Sequence, residues 1–202
     1  MIKNVIFDIG NVLGHFCWEE VLKTKMGLSE DAFDAVAAAT VKSKWWNEFD
    51  RSLIPDDEIM ENCIKLNPAY EKEIREFFGR VGEVVVDYDY SSDWIRDLKA
   101  AGLKVYILSN YARTTFYRTR EKGALKFLDI ADGRVISFEV FQLKPDPEIY
   151  ETLLKKYALD PTECVFIDDR AENIETARKL GMKGIVFTDY ETGRKELEGY
   201  LN

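Results

Sequence analysis

Four separate places in this 202-residue chain put a reactive side chain at the end of an apolar run or a turn. Val5, Ile6 and Phe7 empty into Asp8; Leu103–Leu108 empties into Ser109 and Asn110; Cys164–Ile167 empties into Asp168 and Asp169; Lys144 opens the segment Lys-Pro-Asp-Pro-Glu. Taken singly, a carboxylate at a strand end is explained as a helix cap or turn former. Three carboxylates converging on one crevice are different, because like charges repel in a low-dielectric cleft and need a lysine, a hard cation or both. Carboxylates with a backbone carbonyl form an all-oxygen set that suits Mg²⁺. One histidine and three scattered cysteines (Cys17, Cys63, Cys164) do not provide a nitrogen or thiolate metal site. Mg²⁺ and Lys144 together suit a phosphoryl group, whose equatorial oxygens gain charge in the transition state. Ser109 and the amides near Ile9 and Gly10 are candidate donors to the same oxygens. Asp8 is then the candidate nucleophile, forming an aspartyl-phosphate that water hydrolyses.

The elements that must position these groups are buried parallel strands. Ile2–Val12, Leu103–Asn110, Cys164–Asp169 and Gly184–Thr188 share the pattern of a short apolar run, and in open parallel sheets ligands sit at the carboxyl ends of the strands. From Phe16 to about Tyr88 the periodicity is helical. Trp18, Val21, Leu22 and Met26 predict a short helix stopped by Gly27, and Ser29 caps a second with Phe33 and Val36 on one face. A third surrounds Ile59 and Cys63, and a fourth carries Ile74, Phe77 and Phe78. Trp45, Trp46, Phe49 and Arg51 lie in this insertion as candidates for lining an entrance, with core packing expected for at least one tryptophan. Beyond it, Ser91 or Ser92 is expected to cap a helix, and an arginine-rich helix (Arg113, Arg118, Arg120) reads as a solvated face. Ile130–Val140 offers a short strand and a turn; Pro147 fits the first turn of the next helix. The tail from Asp189 reads as charged and peripheral.

Composition narrows the function classes. The chain is 46% hydrophobic, which supports a sizeable core and argues against disorder. Its 28 basic and 37 acidic residues give a formal charge of -9, a poor balance for a nucleic-acid binder. No run approaches the length of a membrane helix and no signal peptide is evident, so a cytoplasmic location is expected, with the cysteines as reduced thiols.

The order and wording of the four signals resemble the haloacid dehalogenase-like superfamily, specifically its small aspartate-dependent phosphatases. The first motif there is Asp-x-Asp-x-Thr/Val after an apolar strand, here Asp8-Ile9-Gly10-Asn11-Val12. The second is Ser or Thr at a strand end, here Ser109-Asn110; the third is a lysine, here Lys144-Pro145; the fourth is an acidic pair, here Asp168-Asp169, with Asn173 where another acidic residue is frequent. The resemblance implies an α/β fold, a three-layer Rossmann-like parallel sheet with the first strand central and an inserted all-helical cap. It places the core at residues 1–15 and 89–202 and the cap at 16–88. It implies Mg²⁺ held directly by Asp8, Asp169 and the Gly10 carbonyl, with Asp168 acting through water or from behind. It implies catalysis by Asp8, Ser109 and Lys144, and substrate contacts from Ile9, Gly10, Ser109, Asn110 and Lys144.

One departure matters. The family's general acid/base aspartate, two residues after the nucleophile, is Gly10 here, which keeps the carbonyl but cannot carry a proton. His15, the single histidine, is either a surface residue or a substitute swinging in from the hinge. The Asp-x-Gly-Asn-Val wording resembles a branch linked with α-D-glucose 1-phosphate hydrolysis, and an anomeric leaving group needs less acid assistance. The expected activity is therefore hydrolysis of a small phosphorylated metabolite such as a sugar 1-phosphate, by a monomer or weak homodimer. The rivals are a metal-independent dehalogenase, which the Asp168-Asp169 pair argues against, and a catalytically weakened module that binds a phosphorylated ligand or a protein partner.

Overall fold

The computed structural model describes residues 1–201. Its strands are β1 (Asn4–Phe7), β2 (Gly14–Phe16), β3 (Val85–Asp87), β4 (Lys104–Ser109), β5 (Gly133–Ile136), β6 (Cys164–Asp168) and β7 (Lys183–Val186). Five of them form one parallel sheet in the order β5-β4-β1-β6-β7, so the first strand is central, as expected. Phe7 lies level with Ile107 and with Ile167, which brings Asp8, Ser109 and Asp168 out along one sheet edge. The Asp8 N–H donates to the Ile167 carbonyl (2.9 Å), carrying the pairing one residue past the strand.

The central strands are buried on both faces, which explains their uninterrupted apolar runs. Val5, Phe7, Val105, Ile107, Val165 and Ile167 face one layer, packed with Trp94, Ile95 and Leu98 of α6 (Ser91–Ala100). Ile6, Tyr106, Leu108 and Phe166 face the other, against Ile149, Tyr150 and Leu153 of α9 (Pro147–Tyr157) and Ile174 and Ala177 of α10 (Ala171–Lys179). This is a three-layer α/β sheet. The remaining core helices are α7 (Arg113–Glu121), the single turn α8 (Ser137–Val140) and α11 (Tyr190–Leu201).

Between β2 and β3 the chain is helical: α1 (Trp18–Glu20, continuing as a π-helical turn to Lys25), α2 (Glu30–Ala39), α3 (Lys44–Arg51), α4 (Asp56–Leu66) and α5 (Glu71–Gly79). Gly27 ends the first at φ +65°, and the Ser29 hydroxyl accepts from the Ala32 N–H at the start of α2. Helix α3 is one more than the periodicity predicted. It starts at Ser43, whose hydroxyl accepts from the Trp45 N–H (3.2 Å), and spans only eight residues, with Phe49 its only buried side chain. The β2–β3 antiparallel ribbon, pairing Phe16 with Val85, was also not legible, since three-residue strands are too short to show alternation.

Three further differences have plain causes. Ser91 does not cap α6; its hydroxyl donates to the Leu13 carbonyl (2.6 Å) and ties the helix to the turn after β1. The arginine-rich α7 is only partly solvated, because Thr115, Phe116 and Thr119 are buried and Arg118 donates to the Phe78 carbonyl (3.0 Å). The tail packs as a helix, with Leu197 buried and the Tyr190 ring stacked 4.3 Å from Tyr90. No helix among the described residues is long and apolar enough to cross a membrane.

Candidate active site

The site is organised around a buried ammonium between carboxylates. Lys144 Nζ lies 2.8 Å from Asp8 Oδ1, an ion-pair contact off the hydrogen-bonding axis, and donates to Asp168 Oδ2 at 2.6 Å. All three residues are buried. Burial lowers the Lys144 pKa, but the adjacent charges of Asp168 and Asp8 outweigh it and hold the ammonium above its ordinary value. Burial pushes the Asp8 carboxyl up to about 6; Lys144 opposes this and the charge of Asp168 adds to it. Asp169 is raised for the same first reason, burial, against a hydrogen bond from Asn11.

Each side chain is fixed by its neighbours. Asn110 clamps the Lys144 backbone from both sides: its Nδ2 donates to the Lys144 carbonyl (2.9 Å) and its Oδ1 accepts from the Lys144 N–H (2.8 Å). Asp168 Oδ1 accepts from the Arg170 N–H (2.8 Å) and from Asn173 Nδ2 (2.9 Å), so with Lys144 on Oδ2 this carboxylate is committed to the protein. Asp169 Oδ2 accepts from Asn11 Nδ2 (2.9 Å), and Asn11 occupies the left-handed region (φ 55°) that asparagine tolerates best after glycine.

The turn after Asp8 closes on the Ile9 carbonyl, which accepts from the N–H groups of Leu13 (3.0 Å) and Gly14 (2.8 Å). The Ile9 side chain is wholly buried, leaving its backbone as its contribution. The Gly10 carbonyl accepts no hydrogen bond among the described residues. A Cβ at Gly10 would meet only Asp8 Oδ2, at 3.9 Å, so neither space nor a positive φ demands glycine there.

These groups open into a cavity of about 230 Å³. Asp8, Gly10, Ser109, Asn110, Lys144 and Asp169 line one wall; Phe16, Val41, Trp46, Asn47 and Asp50 line the other. Carboxylate oxygens of Asp8, Asp168 and Asp169 lie within 4.8 Å of one another. An all-carboxylate cluster, with a carbonyl free at Gly10 and Asp168 already neutralised by Lys144, fits a hard divalent cation on Asp8 and Asp169.

The model of the haloacid dehalogenase-like hydrolases matches residues 2–181. The chain belongs to that family. A sesquiterpene phosphatase of Aspergillus oryzae is 29% identical over 93% of this chain and 90% of its own length. A D-ribitol-5-phosphate phosphatase of Bacteroides thetaiotaomicron is 25% identical over the whole of both chains. A solved haloacid dehalogenase-family enzyme of Bacteroides thetaiotaomicron, in complex with magnesium and inorganic phosphate, superposes with a TM-score of 0.70 at 24% identity, covering 95% of this chain and 98% of its own; that likeness shows the fold.

Against this family frame, other sequence candidates fall outside the cavity. His15 stacks on Tyr88 (6.0 Å between ring centres) and lies 3.8 Å from Glu20, and it is not part of the lining. Phe49 is core, Trp45 does not line the cavity, and Arg51 reaches the Phe141 carbonyl. Conversely, Asn11, Val41, Asn47 and Asp50 were missed. Val41 lies in the link between α2 and α3, and the placing of Asn47 and Asp50 depends on which face of α3 meets the sheet edge. Only Asn11, next to a glycine in a turn, carried a local signal.

Proposed function

We infer that this chain is a magnesium-dependent phosphoric monoester hydrolase acting on a small hydroxylated phosphate ester, a sugar phosphate such as a sugar 1-phosphate being the expected class. The carrying observation is the buried Lys144 between Asp8 and Asp168 with Asp169 beside them. Bound on Asp8, Asp169 and the Gly10 carbonyl, Mg²⁺ supplies charge for the phosphoryl oxygens and relieves the repulsion among the carboxylates. Asp8 attacks phosphorus, Lys144 and Ser109 hold the equatorial oxygens, and the amides of Ile9 and Gly10 add donors. The alcohol leaves toward the helical wall, and water then attacks the aspartyl-phosphate. Asp168 and Asn110 act by positioning Lys144. Residues 16–88 serve as a cap over a core formed by 1–15 and 89–202, excluding bulk water.

The size of the cavity supports a small substrate. About 230 Å³ lies below the roughly 300–1,000 Å³ of sites for drug-sized ligands, and Asn47 and Asp50 give the far wall polar groups suited to hydroxyls. A metal-independent dehalogenase is disfavoured, since Asp169 adds a carboxylate that halide displacement does not need. Gly10 keeps one alternative open, a module that binds a phosphate ester without turning it over. The test is phosphate release from sugar 1-phosphates, polyol phosphates and isoprenoid phosphates with Mg²⁺ and with EDTA. Mg²⁺-dependent release favouring the small hydroxylated esters is expected. Metal-independent turnover, or halide release from haloacids, contradicts the reading; beryllofluoride binding with background turnover favours the binding module.

A further inference from the structure

Gly10 leaves the reaction without its usual proton carrier, yet the cavity holds a carboxyl that the mechanism above does not use. Asp50, near the carboxyl end of α3, lines the same cavity as Asp8. It has no cation within ion-pair distance among the described residues. Nor is its position a matter of loose cap packing. Ser137 Oγ donates to the Asp50 carbonyl (2.7 Å) while accepting from the Tyr111 N–H (2.8 Å). Ser52, two residues on, accepts from the Arg113 N–H (3.1 Å), and the Ala112 N–H donates to the Asp50 carboxylate. Residues 50–52 are thus pinned at three points to the segment that follows Ser109, so Asp50 keeps a fixed relation to the phosphate-holding wall.

Resting on the phosphatase reading, we propose that Asp50 is the proton carrier that Gly10 does not supply. As Asp8 forms its bond to phosphorus and the ester P–O bond breaks, the Asp50 carboxylic acid gives its proton to the departing alcohol oxygen. As water then forms its bond to phosphorus and the Asp8–phosphorus bond breaks, the Asp50 carboxylate takes the water's proton, restoring the acid. The acid form is available near neutrality: burial pushes the carboxyl up to about 7, opposed by the Ala112 N–H. The other ionisable groups lining the cavity are Asp8, which favours the acid form, Lys144 and Arg170, which oppose it, and Asp169 and Tyr111.

The competing explanation is structural, with Asp50 merely accepting from Ala112. Asp50→Asn separates the two, because the amide oxygen still accepts while the proton is gone. Proton transfer of this kind contributes typically about 10²–10⁴-fold. With Mg²⁺ present, kcat/KM of Asp50→Asn for an alkyl phosphate should fall about 10²-fold or more, while 4-nitrophenyl phosphate, whose leaving group needs no proton, should lose less than about tenfold. Independently of turnover, carbon-13 NMR of the metal-free wild-type protein should show a carboxyl titrating near 7 that is absent from Asp50→Asn. Equal losses on both esters, no loss on either, or no such carboxyl would overturn the proposal while leaving the phosphatase reading intact. Wild-type protein that releases phosphate from neither ester would overturn both.

Discussion

The two walls of the cavity are built differently. On the sheet edge, Asp8, Lys144 and Asp168 are buried, and Asn110, Asn173 and Arg170 hold two of them by direct hydrogen bonds. On the helical side, Trp46 is half-buried and Asn47 exposed, and Trp46 is held by ring contacts to Phe16, Phe49 and Phe77 rather than by polar bonds; Asp50 is the exception, tied to the Ser109 side of the cavity. A fixed polar network suits chemistry that is the same for every phosphate ester. A wall of a half-buried ring and an exposed amide suits discrimination among leaving groups. The contrast predicts that changes on the first wall alter turnover for all substrates, and changes on the second alter which substrate is preferred.

The largest effect belongs to Asp8→Asn, which should lower kcat by about 10⁴-fold or more on every ester, measured by phosphate release, without unfolding the chain. Lys144→Ala comes next. It leaves Asp8 and Asp168 buried without their counter-charge, so metal-free stability in urea should drop by about 3–5 kcal/mol, with part of it regained on adding Mg²⁺. An unchanged urea midpoint would mean the ammonium is not what holds the carboxylates together. On the helical wall, Trp46→Ala should change relative kcat/KM between small and bulky esters by about tenfold while leaving 4-nitrophenyl phosphate within a few-fold. A last effect, on stability rather than turnover, is a pH slope. The Asp50 carboxyl is raised in the folded state, so the fold binds a proton that the unfolded chain has already released between about 4 and 7. Stability of the metal-free protein should therefore fall as pH rises through that window, and Asp50→Asn should flatten part of the slope in thermal melts.

The same contrast explains what could be read from the sequence. Strands β1, β4 and β6 are buried on both faces, so each appears as an apolar run ending in its reactive residue, and Asp8, Ser109 and Asp168 could be placed on one edge before any coordinates. Lys144 was legible through its Lys-Pro-Asp-Pro neighbours. The helical wall was not: α3 is short and buries a single side chain, and the placing of Asn47 and Asp50 against the sheet edge depends on Ser52 and Ser137 contacts that are long-range. Asn173 shows a related limit. Its position after the acidic pair was legible, but its bond to Asp168 follows from the first turn of α10 folding back on the strand end.

The central claim is that Asp8 becomes phosphorylated beside a divalent cation. Rapid acid quench during turnover with Mg²⁺, followed by borohydride reduction of acyl phosphate and peptide mass spectrometry, tests it directly. The account predicts reduction to the alcohol at residue 8 alone, dependent on Mg²⁺ and on substrate. Steady phosphate release with residue 8 unmodified, or modification at another carboxylate, would contradict it.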